Sequence, residues 1–240
     1  MKSKYLYSFD LKLTAMKSKY QKIEEIVEKE LSCSAHEMEH VMRVYNLCLH
    51  LAKHEPDIDL DVLKTAALLH DIARVKEFKD KTGRIDHAVL GGEMAAEILR
   101  TLGYSEEKIT QVKNCIVAHR YRRKGEPQTK EAKILFDADK LDVLGAIGVA
   151  RSFMMAGQYA QKIYSDISIE DYLKDNIVGG RADGRIRDIS KHAPNLEFEL
   201  KFKHVTERLC TQKAREMAKE RLQFMENFFE RLRMEMKGES

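Results

Sequence analysis

Apolar residues return every three or four positions through most of this chain, the spacing that lines one face of an α-helix rather than one face of a strand. On that pattern helices are predicted at 16–31, 35–54, 60–73, 86–102, 106–119, 130–142, 144–161, 168–174, 197–210 and 212–236. Two-residue alternation is scarce; Glu197–Lys203 has it, but its surroundings carry the helical period. Asp59 and Ser105 stand where an N-cap acceptor is wanted, the latter ahead of Glu106 and Glu107, and Gly103 suits a helix end. The three prolines, Pro56, Pro127 and Pro194, all fall between periodic segments. Loops are expected at Asp80–Arg84, Arg120–Pro127 and Gly179–Asp188, and no Pro/Ser-rich linker divides the chain. The expectation is an all-α single domain over residues 1–240. Its charged last helix, from Thr211, packs back through a stripe of Met217, Leu222, Met225, Phe229 and Leu232.

Composition narrows the class. At 240 residues the chain can bury roughly 70% of its unfolded surface, so a core needs neither disulfide nor structural metal. Apolar residues at 43%, charged residues at 34% and a mean hydropathy of −0.48 describe a soluble globular protein. Forty-two basic against thirty-nine acidic side chains leave +3, too even for a nucleic-acid coat or a polybasic membrane anchor. The longest apolar stretch, at 141–150, is broken by Asp142 and two glycines, short of the ~18 residues that span a bilayer. Cys33, Cys48, Cys115 and Cys210 form no C-x-x-C pair and are read as reduced thiols of a cytoplasmic protein. The N-terminus has no apolar secretory segment. Met1-Lys-Ser-Lys-Tyr5 recurs at Met16–Tyr20, which is read as coincidence or an alternative start.

Candidate chemistry gathers on histidines and aspartates. His36 and His40 are four apart on one predicted helix and share a face, with Arg43 following. His70 and Asp71 close an apolar, buried-type helix, where an unpaired carboxylate is costly and asks for a cation or an arginine. Asp137, Asp139 and Asp142 crowd the end of another apolar run. Imidazole and carboxylate together suit Mn, Mg, Fe, Co, Ni or Zn, without the thiolates of a structural zinc site. His36-Glu-Met-Glu-His40 also spells H-E-x-x-H, the zinc protease pattern with Glu37 as base. Its extended form fails at Arg43 and Asn46, and a protease reading leaves His70, Asp71 and Asp139 without a role. No P-loop or G-x-G-x-x-G occurs, and Gly179–Arg185 lacks the preceding strand of a phosphate loop. The basic turn Arg120–Lys124 is read as a solvated turn, with nucleic acid not expected as a partner. His50, His54, His192 and His204 are read as surface or internally satisfied histidines.

His40 before Val-Met-Arg43, His70-Asp71 in Leu-Leu-His-Asp-Ile-Ala, and Asp139 in Asp-Ala-Asp-Lys-Leu-Asp together resemble the H…HD…D signature of the HD-domain phosphohydrolase superfamily. Asp86-His87-Ala-Val-Leu-Gly-Gly92 and Leu144–Arg151 are similar to a subgroup of small bacterial and archaeal HD hydrolases, some of them nucleotide pyrophosphohydrolases. The resemblance spans His36 to Arg151 and continues more loosely through Lys203–Phe229. It implies a helical bundle with a metal-binding HD core at 31–151 and a helical extension at 152–240 packed on it. It further implies one divalent metal on His40, His70, Asp71 and Asp139, the last chosen over Asp137 because the family's ligand precedes a Lys or Arg. His87, His119 and His36 are expected to serve substrate phosphate or proton transfer. His87 and His119 also leave room for a second metal. Arg43 and Lys140 are expected to meet the substrate. The implied activity is hydrolysis of a phosphate ester or anhydride of a nucleotide by metal-activated water. A nucleotide sensor without turnover and a di-iron oxygenase on the same fold are the alternatives, and a homodimer through the last helix is open.

Overall fold

The computed structural model describes residues 18–31, 35–120, 126–182 and 184–239. Their α-helices are α1 (Lys19–Glu30), α2 (Ala35–Ala52), α3 (Leu60–Leu69), α4 (Arg74–Lys79), α5 (His87–Thr101), α6 (Glu106–Ala118), α7 (Lys130–Leu141), α8 (Gly145–Gln158), α9 (Ile169–Asn176), α10 (Pro194–Leu200) and α11 (Gln212–Lys237). Among the described residues there is no strand, only an isolated antiparallel bridge between Ile177 and Ile186. The all-α expectation holds.

The bundle is built round α3. Seven of its residues, Val62, Leu63 and Thr65–Leu69, are buried, as befits a helix with apolar residues on every side. Helices α1, α2, α6 and α7 pack against it. Truncating a leucine there, such as Leu68, to Ala would cost about 2–5 kcal/mol through lost transfer energy and a cavity. Among the described residues, helices α5 and α6 share the most extensive helix–helix contact. A Cβ on Gly92 would meet Val117 Cγ2 at 3.0 Å and Lys113 Cγ at 3.2 Å, so glycine at this point lets the two helices approach. The expected stripe of α11 does turn inward: Met225 and Phe229 are buried, and Met217, Leu222 and Leu232 lie partly buried against the same core.

Helix ends follow the chemistry of their caps. Asp59 accepts from the N–H of Asp61 and Val62, and Ser105 from Lys108. Gly103, at φ +77°, takes the left-handed turn after α5. Two predicted helices need correction. The 60–73 segment ends at Leu69, and the chain turns through His70–Ala73 into the separate helix α4. The segment 197–210 instead begins at Pro194, in the first helical turn where its missing N–H costs nothing, and loosens into 3₁₀ turns at Phe202–Arg208.

Outside the main core, Tyr172, Ile177, Ala193, Leu196 and Leu200 make a second, smaller one. It is stitched by a polar chain. Tyr172 Oη lies 2.6 Å from His192 Nδ1, and His192 Nε2 lies 2.8 Å from Glu197, which also receives Lys201. His192 is thus internally satisfied, as expected.

Candidate metal centre

Four histidines converge from four different helices. His40 comes from the middle of α2, His70 from the residue after α3, His87 from the first residue of α5, and His119 from the residue after α6. All four are buried. Each ring is fixed by its Nδ1: His70 to Ala67 O at 2.8 Å, His119 to Ile116 O at 2.5 Å, His40 to Asp142 Oδ2 at 2.7 Å, and His87 to Glu77 Oε2 at 2.8 Å. Every one of these partners is an acceptor, so Nδ1 donates its proton and Nε2 is left to present a lone pair.

Those Nε2 atoms face one another. His40 and His70 meet at 3.3 Å, and so do His87 and His119. Asp71 joins the pairs. Its Oδ2 is 3.6 Å from His40 Nε2 and 3.8 Å from His70 Nε2, while its Oδ1 is 3.4 Å from His87 Nε2 and 3.5 Å from His119 Nε2. Asp139 Oδ1 lies 3.3 Å from His40 Nε2, and its Oδ2 is 2.5 Å from Lys140 Nζ. Two groups could each hold a metal ion, His40–His70–Asp71 and Asp71–His87–His119, with Asp71 common to both. Lone pairs and carboxylates turned inward at these distances repel unless a cation lies among them.

The ionisation states fit that role. Burial lowers His70 to about 4 and also lowers His87, so both are neutral at neutral pH. Asp71 and Asp139 sit well below the ordinary carboxylate range although burial opposes it, because His70 and His119 face the first and Lys140 and His40 the second. Burial also opposes charge on His40, but hydrogen bonds to Asp139 and Asp142 raise it to about 9; a proton occupies the place a metal would take. Ionised carboxylates and neutral imidazoles are the forms that ligate, and the nitrogen and oxygen donors suit the divalent metals named above.

The remaining aspartates separate cleanly. Asp137 turns away and accepts from Cys210 N, Thr211 N and Thr211 Oγ1, fastening the start of α11 to α7. Asp142 lies behind His40, where it also receives Arg43 Nε at 2.7 Å, Arg43 Nη2 at 3.1 Å and Arg151 Nη1 at 2.6 Å. Arg43, expected on the substrate side, therefore spends two donors on Asp142. Lys140 Nζ pairs with Asp139 Oδ2 at the edge of the cluster. The side chain of His36 lies outside the described residues, as do Cys33 and residues 121–125 of the basic turn.

Behind His87 stands a group the sequence reading missed. Glu77 accepts from His87 Nδ1, from Arg74 at 3.1 Å and from Arg120 at 2.9 Å, and Arg120 also reaches Asp86 at 2.9 Å. Burial works against ionised Glu77, but His87 and Arg120 hold it below its usual range. Its one sequence signal is its place ten residues before His87.

The family model of the HD domain matches residues 38–144. YpgQ of Bacillus subtilis is 29% identical over 209 residues, 85% of this chain and 86% of its own length. The 3′-5′ exoribonuclease YhaM of Bacillus pumilus is 28% identical over 141 residues, 52% of this chain but only 44% of that protein. Among solved structures, an HD-superfamily hydrolase from Bacillus thuringiensis superposes with a TM-score of 0.66 at 25% identity, over 91% of this chain and 97% of its own. YpgQ in complex with ADP does so with a TM-score of 0.66 at 27% identity, over 90% and 94%. With His40, His70-Asp71 and Asp139 brought together inside the matched span, residues 38–144 form an HD domain, and the chain shares the fold of an HD-superfamily hydrolase.

Proposed function

We propose that this chain is a metal-dependent phosphohydrolase that cleaves phosphate ester or anhydride bonds of nucleotides. The observation that carries the reading is the convergence of four Nδ1-anchored histidines on Asp71, with Asp139 beside His40. Support for a nucleotide comes from YpgQ, whose crystal structure with ADP shares this fold. His40, His70, Asp71 and Asp139 would hold one divalent cation, and Asp71, His87 and His119 a second. A cation bound there polarises a phosphoryl oxygen and brings a bound water towards neutral pKa.

The chain's own groups do the rest. Asp71 and Asp139 keep 15% and 14% of their side chains exposed, so the cluster opens to solvent on the carboxylate side. Asp71 accepts a hydrogen bond from the attacking water and orients it. Where only the first cation is bound, His87, neutral through burial, is free to accept a proton at Nε2 or, once protonated, to return it to the leaving oxygen. Lys140 offers a positive charge to a non-bridging phosphate oxygen. Positioning and charge stabilisation are what phosphoryl transfer demands most.

The test is release of phosphate and pyrophosphate from a panel of nucleotides with added Mn²⁺, for the wild type and Asp71→Ala. The expected result is turnover that falls by about a thousandfold or more in the variant, since a group common to both nests is lost. Metal-loaded protein that releases nothing from any nucleotide overturns the reading.

A further inference from the structure

Between the His70-Asp71 doublet and His87 the chain carries a strip that the hydrolytic cluster does not use. It consists of α4 and the turn after it, residues 74–84, with five cations against two acids. Both acids are committed. Glu77 is spent on His87, Arg74 and Arg120. Asp80 folds the turn by accepting from Thr82 N, Arg84 N and Ile85 N, each at 2.8 Å, and from Thr82 Oγ1 at 2.6 Å. The cations Arg74, Lys76, Lys79, Lys81 and Arg84 are all exposed. Lys81 and Arg84 have no ion-pair partner among the described residues, and Lys76 has Glu30 only at 3.6 Å.

Amid these charges stands Phe78, 74% exposed, the most exposed large apolar side chain among the described residues. Helix α4 buries only Val75, so the packing of the fold gives this ring no place. The strip starts at the cluster itself. Glu77, next to Phe78, holds His87, and Arg84 lies three residues before His87, within about 10 Å of it along the backbone.

We propose that this strip is a track for a single-stranded oligonucleotide whose end enters the cluster beside His87 and His119. The proposal rests on the phosphohydrolase reading for the direction in which the strand leads. A mononucleotide bound at the cluster has too few phosphates to meet the five exposed cations of this eleven-residue strip. A phosphate backbone has enough, and an exposed aromatic face between cations is what an unpaired base stacks on. The overall charge of +3 conceals this patch because acids elsewhere on the chain cancel it.

The experiment is fluorescence anisotropy of a labelled phosphorothioate RNA of about twelve nucleotides with the metal-loaded full chain. It is repeated for Lys81→Glu/Arg84→Glu and for Phe78→Ala, with thermal unfolding of each as a check on folding. The wild type is expected to bind the oligonucleotide at least tenfold more tightly than the mononucleotide of the same base. The charge-reversed protein should lose at least tenfold, and its slope of log affinity against log salt should shrink by about two. Phe78→Ala should lose fivefold or more with the slope kept. Folded variants that bind the oligonucleotide like the wild type overturn the proposal, as does wild-type protein that binds anionic lipid vesicles but not RNA. Nucleotide turnover without oligonucleotide binding fails the track alone. Oligonucleotide binding without turnover of any nucleotide fails the phosphohydrolase reading alone.

Discussion

Asp142 Oδ2 receives the Nδ1–H of His40 and an N–H of Arg151, while Oδ1 takes Arg43 Nε. Every partner donates, so an amide in its place would turn an N–H towards groups that cannot accept it. Asp142→Asn is therefore expected to release the His40 ring and weaken metal binding about 10- to 100-fold. Titration of Mn²⁺ into chelator-stripped protein measures this. Affinity like that of the wild type would show that His40 needs no carboxylate behind it. The doublet His70-Asp71 and the triplet of aspartates were conspicuous in the sequence because charge at the end of an apolar helix is costly. What divides the triplet was not. Asp137, Asp139 and Asp142 are chemically alike, and only their directions send one to a helix start, one to the cluster and one behind a histidine.

The helices were legible wherever the apolar period ran for three turns or more. It did not reveal α4, whose six residues give too few repeats to register, and Glu77 was lost with it. Helix α8 shows a local constraint of another kind. A Cβ on Gly148 would lie 2.1 Å from Val143 O, a backbone atom that cannot rotate away. Gly148→Ala should destabilise the protein by about 1–3 kcal/mol through overpacking, read as a lower urea midpoint. Wild-type stability would mean the turn before α8 relaxes freely. Helix α1 is pinned to α3 and α6 by electrostatics: Asp61 receives Lys19, Tyr20 and Lys108. Partial burial opposes its charge, but hydrogen bonds from Lys108 and Lys19 lower it to about 2, against about 3.9 unfolded. A depressed carboxylate stabilises the fold above the unfolded value and loses that contribution as pH falls from about 4 through 2. Asp61→Asn should thus cost about 1 kcal/mol or less at pH 7, since the pairs are partly exposed. The gap should narrow as pH falls from about 4 through 2 in parallel urea titrations, and a gap that stays constant would assign it to packing.

Because the cluster draws on α2, α3, α5, α6 and α7, a bound cation ties most of the bundle together. Metal that binds the folded chain alone stabilises it by about 2.7 kcal/mol at a hundred times its Kd, about 5–10 °C in Tm for a chain of this size. Thermal unfolding with Mn²⁺ and then with excess EDTA should show that difference, and it should vanish in Asp71→Ala. Coincident melting curves for the wild type with metal and with chelator would contradict binding at this cluster. No helix among the described residues is long and apolar enough to cross a membrane.

Helical class, helix order and the identity of the inward-facing histidine and aspartate types follow from local chemistry, since period, caps and the cost of burying charge act over a few neighbouring residues. His87 and His119, 32 positions apart, become a facing pair only because α5 and α6 pack closely across Gly92. Arg43 became a partner of Asp142 because α2 and the end of α7 meet there, 99 residues apart in the chain. Such pairings arise where helices cross, and a linear pattern that sets each helix's apolar face leaves open which residues of two helices come into contact.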